Sequence, residues 1–212
     1  MTTLTEADKQ QYQNLIDTPI YVIPNIIQAR KLTLSKQNII LSAGRLEYEK
    51  GYDILIKSIN IIKNMLRQKR YKIDIYGEGQ EHQNLQQAIN DYHLNDLITI
   101  HPATQQLNEK LAQSRITVVP SRNEGFGMVL LEAMAQDNIV ISFKDTLGPS
   151  QLIQHNKNGY LADYTNAKSL AKYIDLAIQK GEHSENMIEA SHQTLESYSP
   201  DKIYNAFYSI FK

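Results

Sequence analysis

The chain has 212 residues, of which 42% are hydrophobic and 21% charged, a composition typical of a folded globular protein and not of a disordered one. Its net charge of −1 provides no basic field for nucleic acid, so any anion has to bind at a local site. The absence of cysteine excludes disulfides, zinc–thiolate centres and cysteine nucleophiles, and it fits a reducing cytoplasm.

The hydrophobic pattern predicts strands alternating with helices. Residues 6–16 are predicted to form a short helix capped by Thr5, followed by an extended connector that contains two prolines. Further along, the pattern predicts strands at 38–44, 71–79, 97–101, 115–121 and 138–143, a short segment at 158–163, and helices at 51–68, 81–92, 107–114 and over much of the remainder. Because strands alternate with helices, we predict an α/β fold with a Rossmann-like parallel sheet covered by helices on both faces.

Ligands of such sheets bind at the carboxyl ends of the strands. This rule selects the loops 44–51, 76–80, 101–106, 120–128 and 144–151.

The loop GRLEYEKG, which follows the strand at 38–44, offers two cations beside a glycine. Gly44 lets the backbone turn close to a ligand, and Arg45 and Lys50 can both face the strand ends. Together they suit a phosphate or diphosphate, because arginine offers a bidentate fork and lysine a point charge. The alternative is a solvated surface pair balanced by Glu47 and Glu49, and this loop alone does not decide between the two.

The stretch SRNEGFGMVLLEAMA places two glutamates around a glycine turn. Gly125 and Gly127 allow close backbone approach, and a helix beginning near Phe126 would aim its free N–H groups at an anion. Glu124 can accept hydrogen bonds from sugar hydroxyls, and Glu132, about two helical turns later, can hold a ribose diol. Alternatively, Glu124 is a loop charge and Glu132 forms a structural salt bridge.

Other kinds of site have little support. The segment YGEGQEH begins like a dinucleotide fingerprint, but His82 stands where the third glycine belongs, and the chain contains no P-loop. It also contains no Asp-x-Asp pair and no HExxH motif, so we expect no metal site. The two glutamates lie further apart than the ~5–9.5 Å between the carboxylates of glycosidases.

The segments GRLEYEKG, YGEG, VVPSRNEGFGMVLLEAMA and HNKNGYL resemble, in order and spacing, the C-terminal domain of GT-B retaining glycosyltransferases of family 4. The Glu-x7-Glu signature of that family corresponds to Glu124 and Glu132. The resemblance implies that Arg45 and Lys50 contact the donor diphosphate, that Glu124 meets the donor sugar, and that these three residues are catalytic. It further implies a set of donor-binding residues: Gly44, Gly125, Phe126, Gly127, Met128, Val129 and Glu132.

The resemblance also implies the reaction. A hexosyl unit would pass with retention from a nucleotide-diphosphate sugar, UDP being favoured over GDP or ADP, to a glycan, lipid-linked or cell-surface polysaccharide acceptor. No cofactor or metal would be needed, because cations and a helix N-terminus would stabilise the charge on the leaving diphosphate. We expect a cytoplasmic protein, and this expectation is compatible with peripheral binding of the full-length enzyme to the inner face of the membrane.

Two departures from the family pattern limit what the chain can do. Gln151 stands where many relatives carry a glutamate, so we assign no catalytic role to that loop. Residues 1–24 resemble a remnant of the N-terminal GT-B domain plus the interdomain linker, and residues 25–212 resemble the nucleotide-sugar-binding domain. We therefore expect the acceptor-binding domain to be missing, the chain to be inactive alone, and the apolar face of the helix near 201–211 to be partly exposed.

Two other functions remain open. The first is a non-catalytic nucleotide-sugar-binding subunit, the partner of a separate acceptor-binding chain. A GT-B-shaped enzyme of another kind, such as a nucleotide-sugar epimerase, is the second alternative, and the Glu-x7-Glu spacing argues against it.

Overall fold

The structure, a computed structural model, describes residues 1–28 and 30–211, without the side chain of Glu182. A small sheet pairs β1 (Thr2–Thr3) with β2 (Tyr21–Val22) in parallel. The main sheet has six parallel strands, β3 (Ile39–Ala43), β4 (Lys72–Tyr76), β5 (Ile98–His101), β6 (Ile116–Val119), β7 (Ile139–Phe143) and β8 (Tyr160–Ala162), in the order β5-β4-β3-β6-β7-β8. The predicted Rossmann-like parallel sheet is confirmed.

Helices connect and cover these strands. They are α1 (Glu6–Gln13), α2 (Tyr52–Gln68), α3 (His82–Asp91), α4 (Leu107–Gln113), α5 (Met128–Ala135), α6 (Leu147–Leu152), α7 (Ala167–Lys180), α8 (Glu185–Glu196) and α9 (Pro200–Ser209). Among the residues described, no helix is long and apolar enough to cross a membrane.

Two hydrophobic cores, one on each face of the sheet, account for the helical layers. Successive strand residues point to opposite faces, so Ile40 and Ile141 join one core while Leu41 and Val140 join the other. Helices α2, α3 and α7 pack on the first face, and α4 and α5 pack on the second. Because both faces are covered, β6 and β7 are buried along their whole length, as their continuous apolar sequences predict.

Three local details differ from the sequence predictions. Helix α1 ends at Gln13 and not at residue 16, and α5 begins at Met128 and not near Phe126. Helix α6 overlaps residues 144–151, a glycine- and proline-containing stretch for which the sequence predicts a loop. Pro149 is compatible with this helix because it occupies the first turn, where the missing N–H has no helical partner to lose.

The last helix leaves aromatic side chains in solvent. Ile203 of α9 is buried, whereas Tyr204, Phe207, Tyr208 and the following Phe211 are exposed. The predicted partial exposure of an apolar face on this helix is confirmed.

Candidate functional site

The strand order places a crevice between β3 and β6. From β3 the chain proceeds outward to β4 and β5, whereas from β6 it proceeds the other way to β7 and β8. The loops that leave β3 and β6 therefore diverge, and a parallel sheet binds its ligands at such a switch point. We call the edge formed by these two loops, 44–51 and 120–127, the carboxyl edge. The opposite edge, where β6 and β7 begin, is the amino edge.

Glycine brings the two loops into contact. Gly51, between a single 3-10 turn and α2, has φ of +69°, and a Cβ there would lie 2.0 Å from the carbonyl oxygen of Pro120. An alanine at this position would be strained by its backbone and would also clash with the neighbouring loop. Gly127 has φ of +93° and forms the N-cap of α5.

An ion pair joins the loops across the crevice. Lys50 Nζ lies 2.6 Å from Glu124 Oε2, and the two side chains are 21% and 19% exposed. The Ser121 hydroxyl also donates to Glu124 Oε2, at 3.4 Å. Glu124 is therefore not an isolated loop charge, and Lys50 is paired with it and not with a glutamate of its own loop.

The other two predicted residues of the first loop have different surroundings. Gly44 donates its backbone N–H to the carbonyl of Tyr76 at 3.0 Å, which fastens the start of the loop to β4. Arg45 is exposed, and within the described part of the chain its side chain makes no hydrogen bond or ion pair. Its guanidinium group remains accessible to an anion.

The N-terminus of α5 has no side-chain cap. The first turn of the helix begins with Met128 and Val129, and its N–H groups therefore have no side-chain acceptor at the cap position. Gly125 is exposed, and a Cβ on it would meet no atom within 4 Å. Phe126 instead points into the protein and packs edge-on against Tyr198, with 5.7 Å between ring centroids. This turn thus presents free backbone donors and the positive end of the helix dipole beside the Lys50–Glu124 pair.

Glu132 lies on α5, one residue after the buried Leu131 and before the buried Ala133. Burial raises the pKa of its carboxyl group. Within the described residues Glu132 forms no salt bridge, which contradicts the structural salt bridge offered as its alternative role. It faces a cavity of about 350 Å³ whose lining also includes Ile26, Gln28, Gln105 and Met128.

Two contributors to the site were not predicted from the sequence. The Arg122 side chain donates a hydrogen bond to the backbone carbonyl of Tyr48 in the first loop. Gly148 of α6 donates its backbone N–H to the carbonyl oxygen of Glu124 at 3.0 Å. Gln151, on the same short helix, is exposed. Helix α6 therefore supports the Glu124 turn through the backbone of Gly148.

His101 stacks on Tyr76, with 4.6 Å between ring centroids, and hydrogen-bonds to Asp74 at 3.0 Å, a structural arrangement. Among residues 1–28 and 30–211, no group of three or more histidine, aspartate and glutamate side chains is placed to hold a metal ion.

Comparison with known proteins identifies the family. The family model "Glycosyl transferases group 1" matches residues 25–194. The chain is 30% identical over 207 residues to an uncharacterized glycosyltransferase of Haemophilus influenzae, covering 96% of this chain and 58% of that protein. It is also 30% identical over 213 residues to the amylovoran biosynthesis glycosyltransferase AmsD of Erwinia amylovora, covering 96% of this chain and 59% of that protein.

A solved structure agrees with this assignment. A mutant of TarM from S. aureus, in complex with Fondaparinux, alpha-GlcNAc-glycerol and UDP, superimposes with a TM-score of 0.89 at 26% identity, covering 100% of this chain and 43% of that one. The chain thus spans less than two thirds of these relatives, and its fold is that of the C-terminal domain of GT-B glycosyltransferases. The chain belongs to the glycosyl transferases group 1 family.

Proposed function

We propose that the carboxyl edge binds a nucleotide-diphosphate sugar, with UDP favoured over GDP or ADP, as the donor of a glycosyl transfer. The observation that carries the proposal is the Lys50–Glu124 pair at 2.6 Å beside the uncapped N-terminus of α5. A cation and free backbone N–H groups match the oxygens of a diphosphate. An adjacent carboxylate matches the hydroxyls of a sugar.

The relatives support the choice of donor and acceptor. The TarM structure contains UDP, and AmsD is named for the biosynthesis of amylovoran. We propose a hexosyl unit as the transferred group and a glycan or cell-surface polysaccharide as the acceptor, for an enzyme working in the cytoplasm or at the inner face of the membrane.

The proposed chemistry is metal-independent transfer with retention, as in family 4. Cleavage of the anomeric bond leaves negative charge on the departing diphosphate, and Lys50, Arg45 and the first N–H groups of α5 stabilise that charge. Lys50 can keep Glu124 and still bind phosphate, because an ammonium group has three protons. Glu124 contacts the sugar, and Glu132 accepts hydrogen bonds from the ribose hydroxyls. The acceptor attacks the face from which the diphosphate departs, so no protein nucleophile takes part.

We further propose that residues 25–212 are the donor-binding domain and that residues 1–24 belong to the N-terminal domain and the linker. Relatives are longer than this chain, which covers 58% of one and 59% of another. Acceptor binding would then reside in a domain outside these residues, and this chain alone would bind the donor without transferring the sugar. Transfer restored by adding the N-terminal domain of a relative would support this arrangement, whereas transfer by the chain alone would contradict it.

Isothermal titration calorimetry tests the donor site. We expect UDP to bind more tightly than GDP or ADP, and Lys50→Met to weaken UDP binding about thirtyfold, or about 2 kcal/mol for a charge-assisted hydrogen bond. Lys31→Met is the matched control, because Lys31 pairs with Asp137 at 2.7 Å and lies outside the carboxyl edge. No binding of any of the three nucleotides would disprove the donor site.

A further inference from the structure

Lys50 and Glu124 lie on loops that leave different strands and run in diverging directions. Fixing a lysine side chain in one rotamer costs conformational entropy, and a partly exposed ion pair contributes little to offset that cost. The 2.6 Å contact between them therefore needs support from the surrounding loops.

Arg122, two residues before Glu124, provides contacts to the opposite loop. Its Nη1 and Nη2 atoms donate to the two carboxylate oxygens of Asp53 at 2.8 and 2.9 Å, and Nη1 also donates to the carbonyl of Tyr48 at 2.7 Å. The guanidinium carbon lies 3.9 Å from the centroid of the Tyr48 ring. The Arg122 side chain is only 16% exposed, so these interactions are better shielded from solvent than an ordinary surface pair.

The backbone of Arg122 adds a further link. Its N–H donates to the carbonyl of Glu49 at 2.7 Å. Arg122 thus holds the chain at residues 48, 49 and 53, on both sides of Lys50. The carboxyl group of Asp53 is itself half-buried. Burial opposes its ionisation, but hydrogen bonds from Arg122 and Lys57 outweigh burial and lower its pKa, so Asp53 is charged at neutral pH.

We propose that Arg122 is a positioning residue, which places Lys50 against Glu124 in the geometry that receives the donor diphosphate. The diphosphate part of this inference rests on the proposed function, whereas the placement of Lys50 does not. A lysine at position 122 would keep the charge but lose the fork that spans Asp53 and Tyr48, so Arg122→Lys should not replace arginine.

The chain contains a matched control at the other end of α2. Arg67 donates to both carboxylate oxygens of Asp96 at 2.8 Å and to the carbonyl of His93 at 2.8 Å. This arrangement repeats that of Arg122, Asp53 and Tyr48, but it lies fourteen residues along the helix from Asp53, or about 21 Å away at ~1.5 Å per residue. Arg67→Gln therefore removes a similar fork without touching the carboxyl edge.

The first readout requires no ligand. Lys50 acetylation by N-hydroxysuccinimide acetate, followed by mass spectrometry, reports how firmly its amine is held. We expect Arg122→Gln and Arg122→Lys to raise the rate at Lys50 about threefold relative to an exposed lysine outside this site such as Lys202, in line with the loss of a partly exposed ion pair. Arg67→Gln should leave the rate unchanged. An unchanged rate in Arg122→Gln, or an equal rise in Arg67→Gln, would overturn the inference.

The second readout is UDP affinity in a double-mutant cycle. We expect Arg122→Gln to weaken UDP binding about tenfold in wild type but hardly at all in a Lys50→Met background, because Arg122 acts through Lys50. Equal losses in both backgrounds would contradict this pathway. If the wild-type chain binds no UDP, the proposed function fails, but the acetylation result still decides whether Arg122 positions Lys50.

Discussion

The two edges of the sheet each contain a partly buried lysine, and the two lysines are satisfied in different ways. At the amino edge, the Lys36 ammonium donates to the backbone carbonyls of Ser114 at 2.6 Å, Leu111 at 3.4 Å and Gln136. These three acceptors match its three protons. At the carboxyl edge, Lys50 has Glu124 as its only acceptor among the residues that the structure describes. The ammonium group of Lys36 thus has an acceptor for each of its three protons, whereas that of Lys50 has protons without an acceptor among the described residues.

Other polar groups at the two edges also differ in how they are satisfied. At the amino edge, buried Asn138 both donates to and accepts from its neighbours, including Leu111 and Ser114. At the carboxyl edge, the α5 N-terminus has no side-chain cap, and four residues after the start of this helix Glu132 is half-buried with a raised pKa. Buried polar groups are normally satisfied, so the unused hydrogen-bonding capacity of Lys50, Glu132 and the start of α5 indicates a ligand. We infer that the amino edge stabilises the fold and the carboxyl edge binds the donor, and the following substitutions test that division.

The largest effect is expected from Asn138→Ala. Asn138 is fully buried, donates to the carbonyl of Leu111 at 2.8 Å and accepts from the Ser114 hydroxyl at 2.7 Å. Its loss leaves several buried groups without partners, and we expect the free energy of unfolding to fall by about 3 kcal/mol. Urea denaturation measures this change. Exposed Asn84 is the control, and a similar loss in Asn84→Ala would show that Asn138 has no special role.

The exchange of Lys36 for methionine comes next. Three carbonyl groups lose their charged donor, so we expect a loss of about 2 kcal/mol in the free energy of unfolding. UDP affinity should stay within about twofold of wild type, because Lys36 lies at the amino edge. This is the reverse of Lys50→Met, which should lower affinity and spare stability. If both variants changed the same property, the division between the edges would be wrong.

Glu132→Gln should separate stability from binding. Burial raises the pKa of Glu132 above its ordinary value of 4.5, so the folded state binds a proton more readily than the unfolded state. Its contribution to stability therefore falls as pH rises from 4.5 through the raised pKa, and the ionised form is unfavourable at pH 7. We expect Glu132→Gln to raise the free energy of unfolding at pH 7, to flatten this pH dependence, and to weaken UDP binding about tenfold.

Urea denaturation at several pH values, with calorimetry of UDP binding, checks both effects. Glu196→Gln is the control, because Glu196 is exposed at the end of α8. A Glu132→Gln protein that is less stable at pH 7 would mean that the charge serves the fold.

The smallest effect is expected from Arg45→Gln. Arg45 is exposed, so solvent and salt screen its attraction to a phosphate. We expect about a threefold loss of UDP affinity at low salt that shrinks at high salt, with no change in stability. Calorimetry at two ionic strengths measures it. A loss as large as that of Lys50→Met would place Arg45 in direct, shielded contact with the diphosphate.

The sequence was sufficient to predict the strands and loops that depend on local hydrophobic pattern. Continuous runs such as ITVV and IVISF predicted buried parallel strands, and the connectivity then selected the loops of Lys50 and Glu124. Helix α6 could not be predicted because its glycine and proline favour turns, and the backbone hydrogen bond from Gly148 to the carbonyl of Glu124 joins residues too far apart for a local pattern to indicate.

Contacts between residues that are far apart along the chain could not be predicted from the sequence. The Lys50–Glu124 pair joins positions 74 residues apart, and the Arg122–Asp53 fork joins positions 69 apart. No spacing rule predicts either, because the folded sheet alone brings the two loops together. The family signature likewise identified Glu124 but not its neighbour Arg122, whose side-chain hydrogen bonds go to Tyr48 on the other loop and to Asp53 at the start of α2.

The most direct test of the division between the edges is a titration of the ¹⁵N-labelled chain with UDP, followed by ¹H–¹⁵N correlation spectra. We predict that the largest amide shifts occur at Gly125, Gly127, Met128 and Val129, and that the amides of Lys36 and Asn138 do not move. Lys50→Met should reduce these shifts at the same UDP concentration. Shifts centred on the amino edge, or saturable UDP binding that leaves the start of α5 unchanged, would contradict the assignment of the donor site.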